Sequence, residues 1–357
     1  MHSIAEKVHK LASAAEYDIA YPGIELKSSN GVFTTSMDHA SGECRLMKVL
    51  LHANCRFDCA YCGMCRRKER ESFSPHDMAK YFLDLHNRGV MQGLFLSSGV
   101  AYDVDVIMEQ LIETGFIIRN AGFKGYLHLK VIPGASRSDI REMSRLATRI
   151  SINIEAPSAS RLSEIAGIKD YRQDIIKRQR WIAEEAPGRH TTQIVVGAAG
   201  ENDNEILSCI GEQYRKTEPV RIYYSPFRPI DGTPLSGKKP TPRWRTNRWY
   251  QLDYLIREYG FTAEGFEEVL TDEGMLLNID PKKLKAKSMN PVDINTAGYS
   301  ELIRVPGIGL MGARRIIEGR RISGIRSTKR LAACGVRVKD VLPHIMLGDR
   351  SMQERLF

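Results

Sequence analysis

Strand and helix signals alternate six times between Leu46 and Tyr224, and this alternation restricts the fold more than any other feature of the chain. Strands are expected at 46–52, 93–98, 126–132, 149–155, 191–196 and 220–224, with helical spacing between them at 74–89, 103–119, 137–147, 161–185 and 201–216. The first helix has a full start signal, with Ser74 as N-cap, Pro75 in the first turn, Asp77 as an early acid and Gly89 as the stop. Strands joined by single helices lie parallel with right-handed crossovers. Six such units curl a parallel sheet towards a barrel without reaching the eight that close one. A flat doubly wound sheet fits less well, because no strand ends in a Gly-x-Gly-x-x-Gly loop. The expected class is therefore α/β, a partial (β/α)6 TIM-type barrel.

The reactive face of such a barrel lies at the carboxyl ends of its strands. There, directly after the first strand, Cys55, Cys59 and Cys62 stand at the spacing C-x3-C-x2-C. Three thiolates are one short of a closed iron-sulfur or zinc site and leave one metal position for a small ligand. The chain has seven cysteines, and Cys55, Cys59, Cys62 and Cys65 crowd too closely for a disulfide framework. Metal binding in a reducing, cytoplasmic compartment is the better reading, with Cys44, Cys209 and Cys334 as ordinary buried thiols. Structural zinc with Cys65 as fourth ligand is the competing one, although zinc sites usually come as two separated pairs. No 18-residue apolar run or signal-peptide core is present, so no membrane partner is expected. On the fourth strand Ser151, Asn153 and Glu155 alternate with Ile150, Ile152 and Ile154, which points three polar side chains one way, where they need partners.

With strand, cysteine loop and Tyr61 just before the last cysteine in place, residues 46–234 resemble the radical S-adenosylmethionine (radical SAM) enzymes. That resemblance implies a 4Fe-4S cluster on Cys55, Cys59 and Cys62, with SAM chelating the fourth iron. It also implies an external electron donor and reductive cleavage of SAM to methionine and a 5'-deoxyadenosyl radical. It carries SAM contacts to Tyr61, to Ser97, Ser98 and Gly99 after the second strand, to Ser151, Asn153 and Glu155 on the fourth, and to Gly197 after the fifth. The chain departs from the family at Val100, where a Gly-Gly-Glu turn would place an acid for the SAM amino group. Ser97, Ser98 or backbone carbonyls are the candidates left for that role. No residue is assigned to the catalytic step on the substrate.

Charge divides the chain unevenly. Residues 281–357 hold 16 Lys+Arg against 6 Asp+Glu, whereas the other 280 residues hold 36 against 37. All of the net +9 thus sits in the tail, which suggests a polyanion partner for that part alone. The segment 293–320, with Asn295 expected as a helix N-cap, resembles a helix-hairpin-helix whose turn is Pro306-Gly307-Ile308-Gly309. Gly307 and Gly309 allow close backbone approach, amides at the next helix's N-terminus suit one DNA phosphate, and Arg314 and Arg315 add positive charge. A weaker second hairpin is expected around 331–336.

The expected domains are an N-terminal extension (1–45), the partial barrel (46–235), a helical connector with a basic linker (236–287) and an all-α helix-hairpin-helix domain (288–357). A barrel of this kind followed by such a hairpin resembles the radical SAM proteins linked with DNA modification or repair, which implies DNA as substrate and a uracil-DNA-glycosylase-like protein as partner. RNA or tRNA as the target, and an iron-sulfur nucleic-acid-binding protein without turnover, are the alternatives. An iron-sulfur DNA glycosylase is disfavoured by order, since there the hairpin precedes the cysteines.

Overall fold

A computed structural model of the protein describes Leu11 and residues 27–29, 32–39, 42–66 and 71–347. Most of the expected N-terminal extension, including the stretch read for a signal peptide, lies outside the described residues. Two compact units are present, residues 1–246 and 247–357.

The first unit is built on one eight-stranded sheet whose strands follow chain order: β1 (Lys27–Ser29), β2 (Val32–His39), β3 (Gly42–Leu50), β4 (Gly93–Ser97), β5 (Tyr126–Lys130), β6 (Arg149–Ser151), β7 (His190–Val196) and β8 (Arg221–Pro226). From β3 to β8 every neighbouring pair is parallel. The six-unit half-barrel expected from the alternation is therefore present. It is extended at one edge by β2 and β1, an antiparallel pair within the segment taken above as an extension.

Helices α1 (Pro75–Asn87), α2 (Val104–Asn120) and α3 (Arg137–Leu146) supply the first crossovers, and each starts on the cap its sequence announces. Ser74 Oγ accepts the Asp77 amide at 3.1 Å, and Ser136 forms a capping box with Asp139. Met78, Phe82 and Leu85 of α1 are buried against the outer face of the sheet in a core with Met47, Val49, Leu94, Leu96, Leu127 and Ile150. Alternate strand residues are thereby committed to the helix layer, and their neighbours must face the barrel interior.

In this first unit two local expectations fail. The fourth strand ends at Ser151, short of 155; beyond it Glu155 takes a left-handed backbone (φ 65°) and meets the sheet again at a bridge to Ile194. The single helix expected over 161–185 is interrupted: α4 (Ala159–Ile165) stops, residues 166–170 form a loop, and a π-helical turn (Tyr171–Ile176) leads into α5 (Lys177–Glu185). Gly167 sits in that loop, and Asp170 restarts the helix by accepting the Arg172 and Gln173 amides at 2.8 and 2.7 Å. α6 (Asp203–Lys216) then connects β7 to β8.

The second unit contains the greater part of α7 (Arg243–Tyr259), then α8 (Pro281–Lys285), α9 (Tyr299–Leu302), α10 (Leu310–Ile322), α11 (Thr328–Ala333) and α12 (Val338–Val341). Its own core gathers Ile294, Leu302, Val305, Ile308, Ile316, Leu331 and Val341. A short parallel pair, Val292–Asp293 with Ile345–Met346, joins the two ends of this otherwise helical end domain. Asn295 is not a helix cap. Its side chain instead pairs with the Ile325 backbone, Oδ1 accepting the amide at 2.7 Å and Nδ2 donating to the carbonyl at 3.1 Å. Gly298 starts α9 in its place.

His190, at the start of β7, is 1% exposed, and burial holds its imidazole down at about 4. The unfolded chain therefore binds a proton there from about pH 6.5 downward while the folded chain does not, so stability is full above 6.5 and falls towards pH 4. In urea melts at pH 7.5, 6.0 and 4.5, His190→Leu should show a shallower acid loss than the parent, the difference reaching on the order of 2–3 kcal/mol.

Candidate active site

Beyond Leu50 the chain leaves the sheet but not its hydrogen bonding. The Leu51 amide donates to Ser97 O at 2.8 Å, the Gly99 amide to His52 O at 3.0 Å and the Arg56 amide to Val100 O at 2.9 Å, which ties the cysteine loop to the end of β4. The approach is so close that a Cβ on Gly99 would lie 2.3 Å from Asn54 O. On the other side the Ala60 amide donates to Ile165 O at 2.7 Å, and Asp58 Oδ1 accepts the Ile168 amide at 3.2 Å. The loop is thus fixed between β4 and the break after α4.

These contacts border an open cleft at the carboxyl ends of the strands. Cys55, Cys59, Cys62, Tyr61, Ser97, Ser98, Gly99, Asn153 and Glu155 all line it, so nine of the eleven residues expected at this site share one cavity. Ser151 and Gly197 do not line it. Ser151 lies deeper and bonds its Oγ to His128 Nε2 at 2.8 Å. Gly197 has a positive φ of 89°, donates its amide to Glu201 Oε1, and would bring a Cβ to 2.1 Å from Thr241 Oγ1. Its freedom from a side chain thus serves the packing of the loop after β7.

Lys169 was not expected at the site. It is 8% exposed, and its Nζ lies 3.5 Å from Glu155 Oε1 and 5.2 Å from the Phe57 ring centroid. Burial opposes its charge, yet the Cys59 thiol and the Glu155 carboxylate outweigh that and hold it above the ordinary lysine range. Helical periodicity assigned this residue to the middle of a long helix. The Ala166-Gly167 pair followed by Asp170, a helix stop and a new cap, was the signal that could have revealed the loop. Asn153 Nδ2 also donates to Glu155, at 3.4 Å.

The thiols are buried in different degrees. Cys55 Sγ accepts the Val100 amide at 3.3 Å. Burial raises the Cys59 thiol, and burial with Cys59 beside it pushes Cys62 up to about 12. Among the described residues no three His, Cys, Asp or Glu side chains converge tightly enough for a single ion. Three thiols lining one cavity are also the donors a multi-iron cluster uses, each thiolate binding a different iron. The donor set therefore fits a 4Fe-4S cluster, and the Cys65 side chain lies outside the described residues.

The hairpin in the second unit has the expected turn. Gly307 adopts φ 84° and packs so tightly that a Cβ would sit 2.9 Å from Arg337 O, while Gly309 caps α10. Arg314 and Arg315 are both exposed on α10. Gly335, also at positive φ, marks a second turn between α11 and α12, against which the Arg315 guanidinium lies. The Leu310 amide hydrogen-bonds to the Tyr259 hydroxyl, and Lys282 Nζ donates to Ile308 O at 2.6 Å. These two side chains therefore occupy the turn that was read as a phosphate site.

The Lys169–Glu155 pair is buried on both sides, so removing one partner strands a charge. Glu155→Gln should cost about 3 kcal/mol in denaturant melts. The pair Glu155→Leu/Lys169→Met should recover most of that loss, and a double-mutant cycle reads the coupling directly.

Residues 49–210 match the model of the radical SAM superfamily and residues 287–334 that of the helix-hairpin-helix motif. No curated protein matches the chain by sequence. Among solved structures the chain is similar to the FeFe-hydrogenase maturase HydG of Carboxydothermus hydrogenoformans, at 12% identity and a TM-score of 0.49, over 59% of this chain and 51% of that one. It is also similar to Streptococcus suis SuiB bound to S-adenosylmethionine (14%, TM-score 0.47, 59% and 47%) and to the methylornithine synthase PylB (13%, TM-score 0.48, 71% and 77%). The match takes in about half the length of the first two. The cofactors of the superfamily are a 4Fe-4S cluster and SAM. The match to the radical SAM superfamily thus falls on the half-barrel, and the match to the helix-hairpin-helix motif follows it in the same chain.

Proposed function

We propose that this chain is a radical SAM enzyme acting on DNA, with Cys55, Cys59 and Cys62 as cluster ligands and the cleft around them as the SAM site. The observation that carries the reading is the convergence of those three thiols, the Ser97–Gly99 turn, Asn153 and Glu155 on one cavity. With cluster and SAM bound, the site supplies one-electron cleavage of SAM and hence a hydrogen-abstracting radical.

The chain's own residues bind and orient. With SAM bound, Glu155 and Asn153 would offer acceptors and a donor to its ribose, and Ser97, Ser98 and nearby carbonyls would take its amino group in place of the missing acid. Lys169 offers a buried cation to a carboxylate or to the thiolates. Leu50, Met64, Val131 and Ile132 supply an apolar wall that keeps water from the reacting atoms. The free thiols among the described cysteines suit a reducing cytoplasm. No helix among the described residues is long and apolar enough to cross a membrane.

The basic hairpins support a nucleic-acid substrate, with Gly307, Gly309, Arg314 and Arg315 as backbone contacts that read no sequence. DNA modification or repair, with a uracil-DNA-glycosylase-like partner and an external electron donor, is the specific form of this proposal. Lys282 and Tyr259 would have to yield their contacts at the turn, or share them, when a phosphate arrives.

Anaerobic reconstitution should give about four irons per chain, and dithionite with SAM should release 5'-deoxyadenosine. Cys55→Ala, Cys59→Ala and Cys62→Ala should each lose cluster absorbance and cleavage; a full cluster in Cys55→Ala would remove the assignment. On DNA, the double substitution Arg314→Gln/Arg315→Gln should weaken binding and lower the salt slope by about two, with SAM cleavage retained. An unchanged slope in a fluorescence titration would exclude these arginines as phosphate contacts, and competing RNA identifies the preferred polymer.

A further inference from the structure

Each thiol of the cysteine loop receives a hydrogen-bond donor, and the three donors differ in charge. The Val100 amide meets Cys55 Sγ at 3.3 Å, and the Met64 amide meets the Cys62 thiol. At Cys59 the donor is the Lys169 ammonium. Two sulfurs thus face a neutral amide and the third a cation, all in the same cleft.

The backbone delivers that cation to Cys59 in particular. Both chain neighbours of Cys59 are tied to the break after α4, Asp58 Oδ1 accepting the Ile168 amide at 3.2 Å and the Ala60 amide donating to Ile165 O at 2.7 Å. Gly167 lies so near that a Cβ there would stand 3.4 Å from Asp58 Oδ2. The Lys169 amide then closes a turn onto Ala166 O at 3.2 Å, and the side chain enters the cleft with Nζ 3.5 Å from Glu155 Oε1 and 5.2 Å from the Phe57 ring centroid. The lysine and glutamate side chains are 5% and 9% exposed, so water screens neither charge well.

A cation so placed acts on electrons. The potential of an iron-sulfur cluster follows its net charge, its exposure and the hydrogen bonds to its sulfurs. An electron gained adds negative charge, which a cation bonded to a ligand sulfur stabilises and a nearby carboxylate opposes. At Cys59 the lysine acts more strongly than the glutamate. We propose that Lys169 acts through Cys59 as a positioning residue: its ammonium, held on that sulfur, raises the reduction potential of a cluster bound there, and Glu155 beside it limits the rise. This rests on the cluster ligands proposed above. The step is the gain of one electron from an external low-potential reductant, with no proton moved and no covalent bond made or broken at Lys169. The lysine and its partner thereby set how strong a reductant the site requires.

Anaerobic redox titration of the reconstituted full-length protein, followed by electron paramagnetic resonance in the absence of SAM, tests this apart from turnover. Lys169→Met should make the reduced form at least tenfold scarcer at a fixed potential, a midpoint lower by about 59 mV or more for one electron. Lys169→Arg, which keeps the charge, should retain most of the parental value, and Glu155→Gln should raise it. Loosened packing would move both neutralising substitutions the same way, so their opposite signs separate charge from structure. Where Lys169→Met does not hold a full cluster, Glu155→Leu/Lys169→Met gives the second reading and should still lie below the parent. A midpoint unchanged in these variants overturns the proposal. So does one lowered only after SAM is added, which would place the ammonium on the carboxylate of SAM. Failure of the parent protein to assemble a reducible cluster would instead sink the assignment of Cys55, Cys59 and Cys62, and this inference with it.

Discussion

The backbone ladder between the cysteine loop and the end of β4 is the constraint on which the site depends. A loop with three thiols has little regular structure of its own, and its geometry is borrowed from the sheet through the amides of Leu51, Arg56 and Gly99. Because the ladder continues past the last strand residue, the loop sits on the sheet rather than above it, and only a glycine fits at position 99. Ser97 and Ser98 are thereby placed on the same wall as the thiols. The absence of an acid at position 100 changes a side chain and leaves this backbone arrangement intact, since Val100 contributes its amide and carbonyl.

Much of this could be read from sequence because the deciding forces are local or periodic. Caps at Ser74 and Ser136, the apolar face of α1 and the alternation of Ile150 and Ile152 with polar neighbours all follow from spacing alone. What could not be read was set by tertiary partners. Lys169 enters the site because Asp58, 110 residues away in sequence, accepts the Ile168 amide and holds the broken helix against the cysteine loop. Asn295 has the side chain of a cap and was read as one, but the Ile325 backbone satisfied it first. Gly197 was placed by position after a strand, whereas its contacts are with Glu201 and Thr241. The extra strands β1 and β2 lie in a stretch where no alternation with helices exists to announce them.

The chain's positive charge has two addresses of different character. In the hairpin unit arginines stand in solvent, where their effect is long-ranged, screened by salt and indifferent to sequence. Inside the barrel the cations are fewer and partly desolvated, so each is more selective about what it meets. The nearly neutral net charge of the first 280 residues conceals this, because between Leu46 and Pro226 the acids lie on helices and loops and the strands carry none.

The same accounting applies at the cleft. With its thiols protonated, the lining carries Lys130 and Lys169 against Glu155, a net charge of one positive. Three thiolates would bring it to two negative in a partly buried space, and burial already drives the Cys59 and Cys62 thiols upward. Lys169 is too few charges to reverse that, since Glu155 shares it. A cationic centre among the three sulfurs would offset both burial and repulsion, as a metal-bound thiol is deprotonated outright. Beside the three sulfurs the lysine–glutamate pair holds the polar wall in place.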